Sequence, residues 1–326
     1  MLTRRALLLA LSSLSVAPIA AGAQTARVGV LLANGPPKGP APGVLEAFEQ
    51  GLRELGHVEG SNLVLERRWG ANQYDRLDAL AGELVRARVD VIFASTSQSA
   101  HAAKRATQTI PIVFETLGDP ATIGLVSSLA RPGGNVTGVS GITAQLSGKR
   151  LHLLREAVPR ITRVAVLVHP ENLTGPVSVH AMEPTARMLG VELRRFHVRQ
   201  VSELAPAFAE MARQKVDGLI VLADPLLFSQ QPAIVELALR YRLPAMYPDT
   251  RRWIDAGGLM MYGAELTDLW RRAAAYVDRI LKGAKPGDLP IEQPTRFELV
   301  INKRAARAIG LTLPPAMLAR ADEVIE

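Results

Sequence analysis

Short polar residues recur at one kind of position in this chain, directly after a short apolar run. They are Asn34 and Gly35; Ser95, Thr96 and Ser97; Asp119; Ser140; His169 with Asn172; Asp224; Tyr247 with Asp249; and Tyr262. Hydroxyls, carboxylates and a few rings suit the non-covalent recognition of a small polar molecule. Ser95, Thr96 and Ser97 stand where a helix is expected to start, so they serve as caps, and a helix start also offers amide N–H groups to a carboxylate. Asp119 and Asp224 each precede a proline; they serve equally as turn residues or as holders of a ligand ammonium. Asn172 shares a loop with His169 and has a turn-forming use of its own. Tyr247 and Tyr262 adjoin Pro or Gly bends and are expected as cleft walls rather than core. Asn34 and Gly35 either turn the chain or touch a ligand at the tip of the first strand.

Signatures of bond-making chemistry are missing. Gly138-Val139-Ser140-Gly141 resembles a nucleophile elbow, but Ile142 stands where the final glycine is needed. Gly148-Lys149 is followed by Arg150 instead of the Ser or Thr of a phosphate loop. The loop at residues 34–43 is no dinucleotide fingerprint. Histidines 57, 101, 152, 169, 180 and 197 are scattered without metal spacing. No catalytic residue, metal ligand or cofactor is therefore expected.

The elements that must position the polar groups alternate. Apolar runs without alternation, such as residues 26–33 (ARVGVLLA), 89–94 (VDVIFA), 163–168 (RVAVLV) and 218–223 (GLIVLA), read as parallel strands covered on both faces. Strands are also expected at 63–67, 112–115, 136–140, 191–197 and 245–247, with further extended segments at 257–263 and 291–300. Helical stripes fall at 44–56, 74–88, 97–107, 144–157, 177–189, 202–215, 231–241, 266–281 and 302–310, with a turn at 251–255 and a tail after Pro314-Pro315. The stretch 110–141 is expected to run strand, Asp119-Pro120 loop, apolar helix stopped at Arg131-Pro132-Gly133-Gly134, then strand. This order predicts an α/β fold of two doubly wound parallel-sheet lobes with right-handed crossovers. In such folds ligands sit beyond the C-terminal strand ends, so two facing lobes would enclose a small molecule.

The 326 residues fit about two domains at ~150 residues each. Arg4 and Arg5, the apolar run 6–20 and the Ala21-Gly22-Ala23 site form a leader expected to be cleaved near Ala23, by the general or the twin-arginine route. A periplasmic product is expected. Its loss lowers the formal charge from +7 to +5. Basic residues are dispersed and aromatics make up only 5%, so no nucleic-acid partner is expected. The absence of cysteine rules out structural disulfides and a lipidated N-terminal cysteine.

Six segments together carry a family resemblance: residues 46–60 (EAFEQGLRELGHVEG), 111–141, 146–158 (LSGKRLHLLREAV), 257–263 (GGLMMYG), 276–285 (YVDRILKGAK) and 289–302 (LPIEQPTRFELVIN). From about residue 26 to its end the chain resembles the substrate-binding proteins of ABC transporters, in the branch associated with tryptophan/tyrosine-type uptake. The resemblance implies a type I periplasmic-binding fold with three hinge crossovers, near 140–142, 260–263 and 292–297. It implies a leader over 1–23, one lobe from 24–141 plus 263–292 and another from 142–262 plus 293–326. Pocket contacts are implied at Asn34, Ser95, Thr96, Ser97, Asp119, Asn172 and Asp224. The expected function is a monomeric receptor that closes over an amino acid or related carboxylate and delivers it to an inner-membrane ABC permease. In it, residues 95–97 would hold the acid and Asp119 or Asp224 the amine. A ligand-sensing subunit for a membrane signalling receptor is the alternative.

Overall fold

The computed structural model describes residues 25–36 and 43–326; the expected leader lies outside them. In chain order the first lobe contains β1 (Ala26–Leu32), α1 (Val44–Glu54), β2 (Leu63–Trp69), α2 (Leu77–Arg86), β3 (Val91–Ser95), α3 (Ser97–Ala106), β4 (Ile112–Thr116) and β5 (Val136–Ser140). The chain then builds α4 (Ser147–Ala157), β6 (Arg163–Val168), α5 (Thr174–Leu189), β7 (Glu192–His197), α6 (Leu204–Arg213), β8 (Gly218–Val221), α7 (Pro225–Ser229) and α8 (Gln231–Arg240). It ends with β9 (Ala245–Pro248), α9 (Arg252–Asp255), β10 (Met260–Gly263), α10 (Leu266–Leu281), β11 (Glu298–Asn302), α11 (Lys303–Ala308), α12 (Pro315–Arg320) and β12 (Glu323–Ile325).

Two sheets result, in the orders β2-β1-β3-β4-β5 and β12-β11-β10-β9-β8-β6-β7. Among the described residues every strand pairing is parallel except β10 with β11. Helices cover both faces of each sheet, which is why β3 and β4 are buried at every residue and read as unbroken apolar runs. The expected doubly wound lobes are present, and so are three crossovers. The first runs from β5 at Ser140 to α4, and the second from β10 into α10, which packs on α1, β3, β4 and β5 of the first lobe. The third is the extended run after Leu289, whose Glu292 bridges Val139 before the chain returns as β11.

Helix α10 returns because it is sharply amphipathic. Leu266, Leu269, Trp270, Ala273, Ala274, Val277 and Ile280 line its buried face. Phe93 stacks on Phe48 at 4.2 Å and meets Trp270 edge-on at 5.0 Å. Each such side chain contributes roughly 1.5–3 kcal/mol on burial. A Cβ on Gly51 of α1 would stand 2.9 Å from that of Ala274, so glycine is what lets the two helices close up.

Three expectations are corrected. The helix expected between Asp119 and Arg131 is a series of turns. One turn forms around Pro120, whose carbonyl takes the Leu125 and Val126 N–H groups, and Gly124 at φ 73° ends it. The carbonyls of Ile123 and Leu125 then pair with the His101 imidazole and the Lys104 ammonium of α3, so no i+4 amide receives them. The region from Asp224 holds a short helix, α7, which Asp224 caps and Pro225 starts. The tail after Pro314 forms α12 and β12, the latter paired in parallel with β11.

Candidate ligand-binding cleft

The strand tips of the first lobe are tied together by their own hydroxyls. Thr96 caps α3, its Oγ1 accepting from the Ser99 N–H at 3.2 Å. It does so at φ 100°, a conformation costing about 1–3 kcal/mol for a residue with a side chain. The Thr96 N–H donates to the Glu115 carbonyl at 2.7 Å, locking the bend to the end of β4. Ser97 Oγ lies 2.5 Å from Thr116 Oγ1, Ser95 Oγ faces the Leu31 carbonyl at 3.5 Å, and Ser140 donates to the Gly118 carbonyl at 2.9 Å. Of the three residues expected as caps, Thr96 alone caps α3, while Ser95 and Ser97 tie the neighbouring strand tips, and the start of that helix faces the second lobe. Gln98 reaches across to the Glu171 carbonyl at 3.4 Å, and a Cβ on Gly118 would come within 2.4 Å of Thr174. Asp119 turns to its own loop, Oδ1 accepting from Ala121 N–H at 3.0 Å and Oδ2 from the Thr122 hydroxyl at 2.8 Å.

On the second lobe, His169, Asn172 and Asp224 form one buried group. His169 Nδ1 accepts from the Glu171 N–H at 3.2 Å, which leaves the ring's proton on Nε2. Asn172 donates to the Ala223 carbonyl at 2.9 Å and to Asp224 Oδ2 at 2.8 Å, and accepts from Thr174 N–H and Oγ1 at 2.9 and 2.7 Å. Asp224 Oδ1 accepts from Leu226 and Leu227 N–H at 2.9 and 3.4 Å.

The fourth bond to Asp224 crosses the cleft. Tyr74 of the first lobe donates its hydroxyl to Asp224 Oδ2 at 2.6 Å, and its ring stands edge-on to His169 at 5.0 Å. Burial, then the Asp224 charge, hold the Tyr74 phenol well above its ordinary pKa, so it stays a donor. Its loop is clamped to the tip of β1. The N–H groups of Gly70, Ala71 and Asn72 donate to the carbonyls of Leu32, Asn34 and Ala33 at 2.7, 3.0 and 2.8 Å. Ala71 and Asn72 both take left-handed angles, φ 56° and 63°. Asn34 and Gly35, both half-buried, therefore form the shelf on which the Tyr74 loop rests.

Behind the cleft the crossovers meet a buried ionic cluster. Arg150 of α4, 1% exposed, donates to Asp249 Oδ1 at 2.6 Å, to Thr143 O and Oγ1 at 3.1 and 2.9 Å, and to the Tyr262 carbonyl at 2.7 Å. Thr143 also donates to Asp249. Burial pushes the Asp249 carboxyl up, and the Arg150 guanidinium and Thr143 hydroxyl pull it back. Asp249 takes φ 51°, and a Cβ on Gly263 would lie 2.2 Å from its Oδ1. From the first lobe, Glu115 faces this cluster and the Trp270 indole. Burial first, then the Asp249 charge, push its carboxyl up to about 8, against the pull of Trp270.

The structure thus brings Ser97, Asn172, His169 and Asp224 to the facing tips, with Ser140 at the first crossover. Tyr247 is not a cleft wall. It is buried in the second-lobe core, stacked on Trp253 at 4.8 Å, because its strand position points it under α9. Tyr262 is half-buried against Phe297 and contributes its carbonyl to Arg150. Tyr74, Glu115, Thr143 and Arg150 were not picked out from the sequence. Glu115 had one signal, a carboxylate inside an apolar strand; Tyr74 and Arg150 sit among ordinary helix-forming residues.

Two doubly wound, largely parallel sheets, three crossovers and apposed strand tips define a type I periplasmic-binding fold, an architecture of solute receptors. The chain belongs to the family described as ABC transporter substrate binding protein, whose family model matches residues 42–325. It is 26% identical over 266 residues to a tyrosine-binding protein of Clostridioides difficile (strain R20291), spanning 82% of this chain and 76% of that one. Among solved structures it is similar to a conserved domain protein from Vibrio cholerae, with TM-score 0.83 and 27% identity over 92% of this chain and all of that one. It also matches an ABC domain in complex with L-Trp from Streptococcus pneumonia, with TM-score 0.81 and 24% identity over 93% and 100% of the two chains. The family so matched is one of substrate-binding proteins.

Proposed function

We propose that this chain is the solute receptor of an ABC importer, closing its two lobes over an amino acid or a related small carboxylate. The observation that carries this reading is the Tyr74–Asp224 hydrogen bond across the cleft, which is available only when the lobes meet. A tyrosine-binding relative and a fold neighbour holding L-Trp support amino acids as the ligand class. The start of α3, with Ser97 beside Thr116, is suited to the ligand carboxylate. Tyr74 and His169 supply an aromatic side wall. The hinge lies at the three chain passages near residues 141, 263 and 292, and few side chains need to move for it to open.

The leader over residues 1–23 directs the mature receptor to the periplasm, where as a monomer it presents the closed form to a permease. Cell fractionation and size-exclusion chromatography check these two points.

Titration calorimetry and thermal shift against L-tyrosine, L-tryptophan, the other amino acids and aromatic acids test the ligand class. A true ligand at a hundred times its Kd raises stability by about 2.7 kcal/mol. X-ray scattering then shows the same ligand compacting the protein. If no amino acid or aromatic acid shifts the melt, the ligand class is wrong. If ligand binds without compaction, the closing-receptor reading fails.

A further inference from the structure

The two aspartates expected to hold a ligand ammonium are already committed. Asp119 caps its own turn through both oxygens. Asp224 accepts from Leu226, Leu227, Asn172 and Tyr74. Among the described residues, three buried side-chain polar atoms have no hydrogen-bond partner: Asn72 Oδ1, Trp253 Nε1 and Glu115 Oε1. Asn72 lies on a half-buried loop, and Trp253 sits within the stack formed with Tyr247 and Phe228. Glu115 alone of the three is ionisable, and it lies where the two sheets approach.

Its surroundings are short of one positive charge. The tip of β4 brings Glu115, 3% exposed, towards Asp249 at the tip of β9 in the other lobe. Among the described residues no cation forms an ion pair with Glu115; the guanidinium beside Asp249, Arg150, spends its bonds on Asp249, Thr143 and the Tyr262 carbonyl. From α10 the facing group is the Trp270 indole, which is neutral. A buried carboxylate without a cation is costly and is resolved by a proton or by a positive partner.

We infer that Glu115 receives the ammonium of the bound solute, with Asp249 fixed by Arg150 as the opposite wall. The inference rests on the amino-acid reading above and names the group that distinguishes an amino acid from its deaminated acid. In the closed unliganded form the carboxyl keeps its proton, as its raised pKa of about 8 permits. On binding, the O–H bond breaks, that proton leaves to solvent, and the ammonium N–H groups donate to the carboxylate oxygens.

The test compares wild type with Glu115→Gln and Glu115→Asp by calorimetry. The probes are L-tyrosine, L-tryptophan and their deaminated counterparts, 3-(4-hydroxyphenyl)propionate and 3-(indol-3-yl)propionate. Glutamine is isosteric and neutral, so the variant is expected to fold; a thermal melt checks that. The expected result is at least about a hundredfold loss of amino-acid affinity in E115Q. Affinity for the deaminated acids stays within about threefold, and E115D retains an intermediate preference for the amino acid. Wild type also releases protons on binding near pH 7.5, read from buffer-dependent enthalpy, and E115Q does not. If E115Q binds the amino acids as well as wild type, or loses both ligand types equally, Glu115 is not the ammonium site and the receptor reading stands. If folded wild type binds none of the four probes, the amino-acid reading falls and takes the Glu115 role with it.

Discussion

Asp224 shows how a residue's place and its duty diverge. It sits at a strand tip, as its sequence context indicates, yet all of its lone pairs serve the protein: two cap α7, one fastens Asn172 and one meets Tyr74. Tyr74→Phe removes only the last of these and leaves the ring against His169. A hydrogen bond to a charged group contributes about 1.5–3 kcal/mol, so the variant is expected to lose roughly ten- to a hundredfold in ligand affinity, measured by calorimetry, with little change in its unliganded melt. Arg150 is a different case. Arg150→Met leaves Asp249 buried without its partner, and unfolding by urea is expected to show a loss of about 3–5 kcal/mol. Neither residue was legible in the sequence. Tyr74 is 150 residues from its partner. Arg150 stood only as the residue that disqualified a phosphate loop. The tip residues Ser97, Asn172 and Asp224 were legible, because strand ends in such sheets face the crevice whatever the ligand.

Elements were legible wherever burial alone selects the residue types. The apolar runs became strands at their expected places, often within a residue or two. The segment after Asp119 failed because its carbonyls pair with α3 side chains. Composition does not show such competition. The C-terminal α12 and β12 failed for a related reason: Pro314-Pro315 reads as a terminator, but Pro315 opens a helix. Strand packing sets a further prediction. Gly138 lies in β5 with its Cα against β4, and a Cβ there would come within 2.1 Å of the Phe114 carbonyl oxygen. That atom belongs to the β4 backbone, held in the sheet between β3 and β5, and cannot move aside. Gly138→Ala is expected to lose about 2 kcal/mol or more, with a lowered melting temperature and slowed exchange lost first in the β4–β5 pair.

Across the whole molecule the two-lobed plan was evident from two series of strand–helix units, and the closed apposition was not. Apposition depends on Tyr74, Gly118 and the Arg150 cluster, whose partners come from the other half of the chain or from the crossovers. One consequence is measurable without ligand. The Glu115 carboxyl, ordinarily near 4.5, is raised to about 8 in the folded state. Below 4.5 folded and unfolded chains both hold the proton; between 4.5 and 8 only the folded chain does. This group's contribution therefore falls as pH rises through that window and is flat above it. Glu115→Gln is expected to melt progressively higher than wild type from pH 5 to pH 8, and the same at pH 4.

The cleft mouth carries a practical opportunity. Gln98 and Glu171 meet across it, and the chain has no thiol of its own. A cysteine placed at each of these two positions, joined by a reducible bis-thiol reagent long enough to replace the reach of the Gln98 side chain, would give the molecule a single reversible latch. Joined, it would trap a solute already inside or bar one outside; cleaved, it would restore exchange. Such a pair would turn lobe movement into a quantity read on a gel, whatever the solute proves to be.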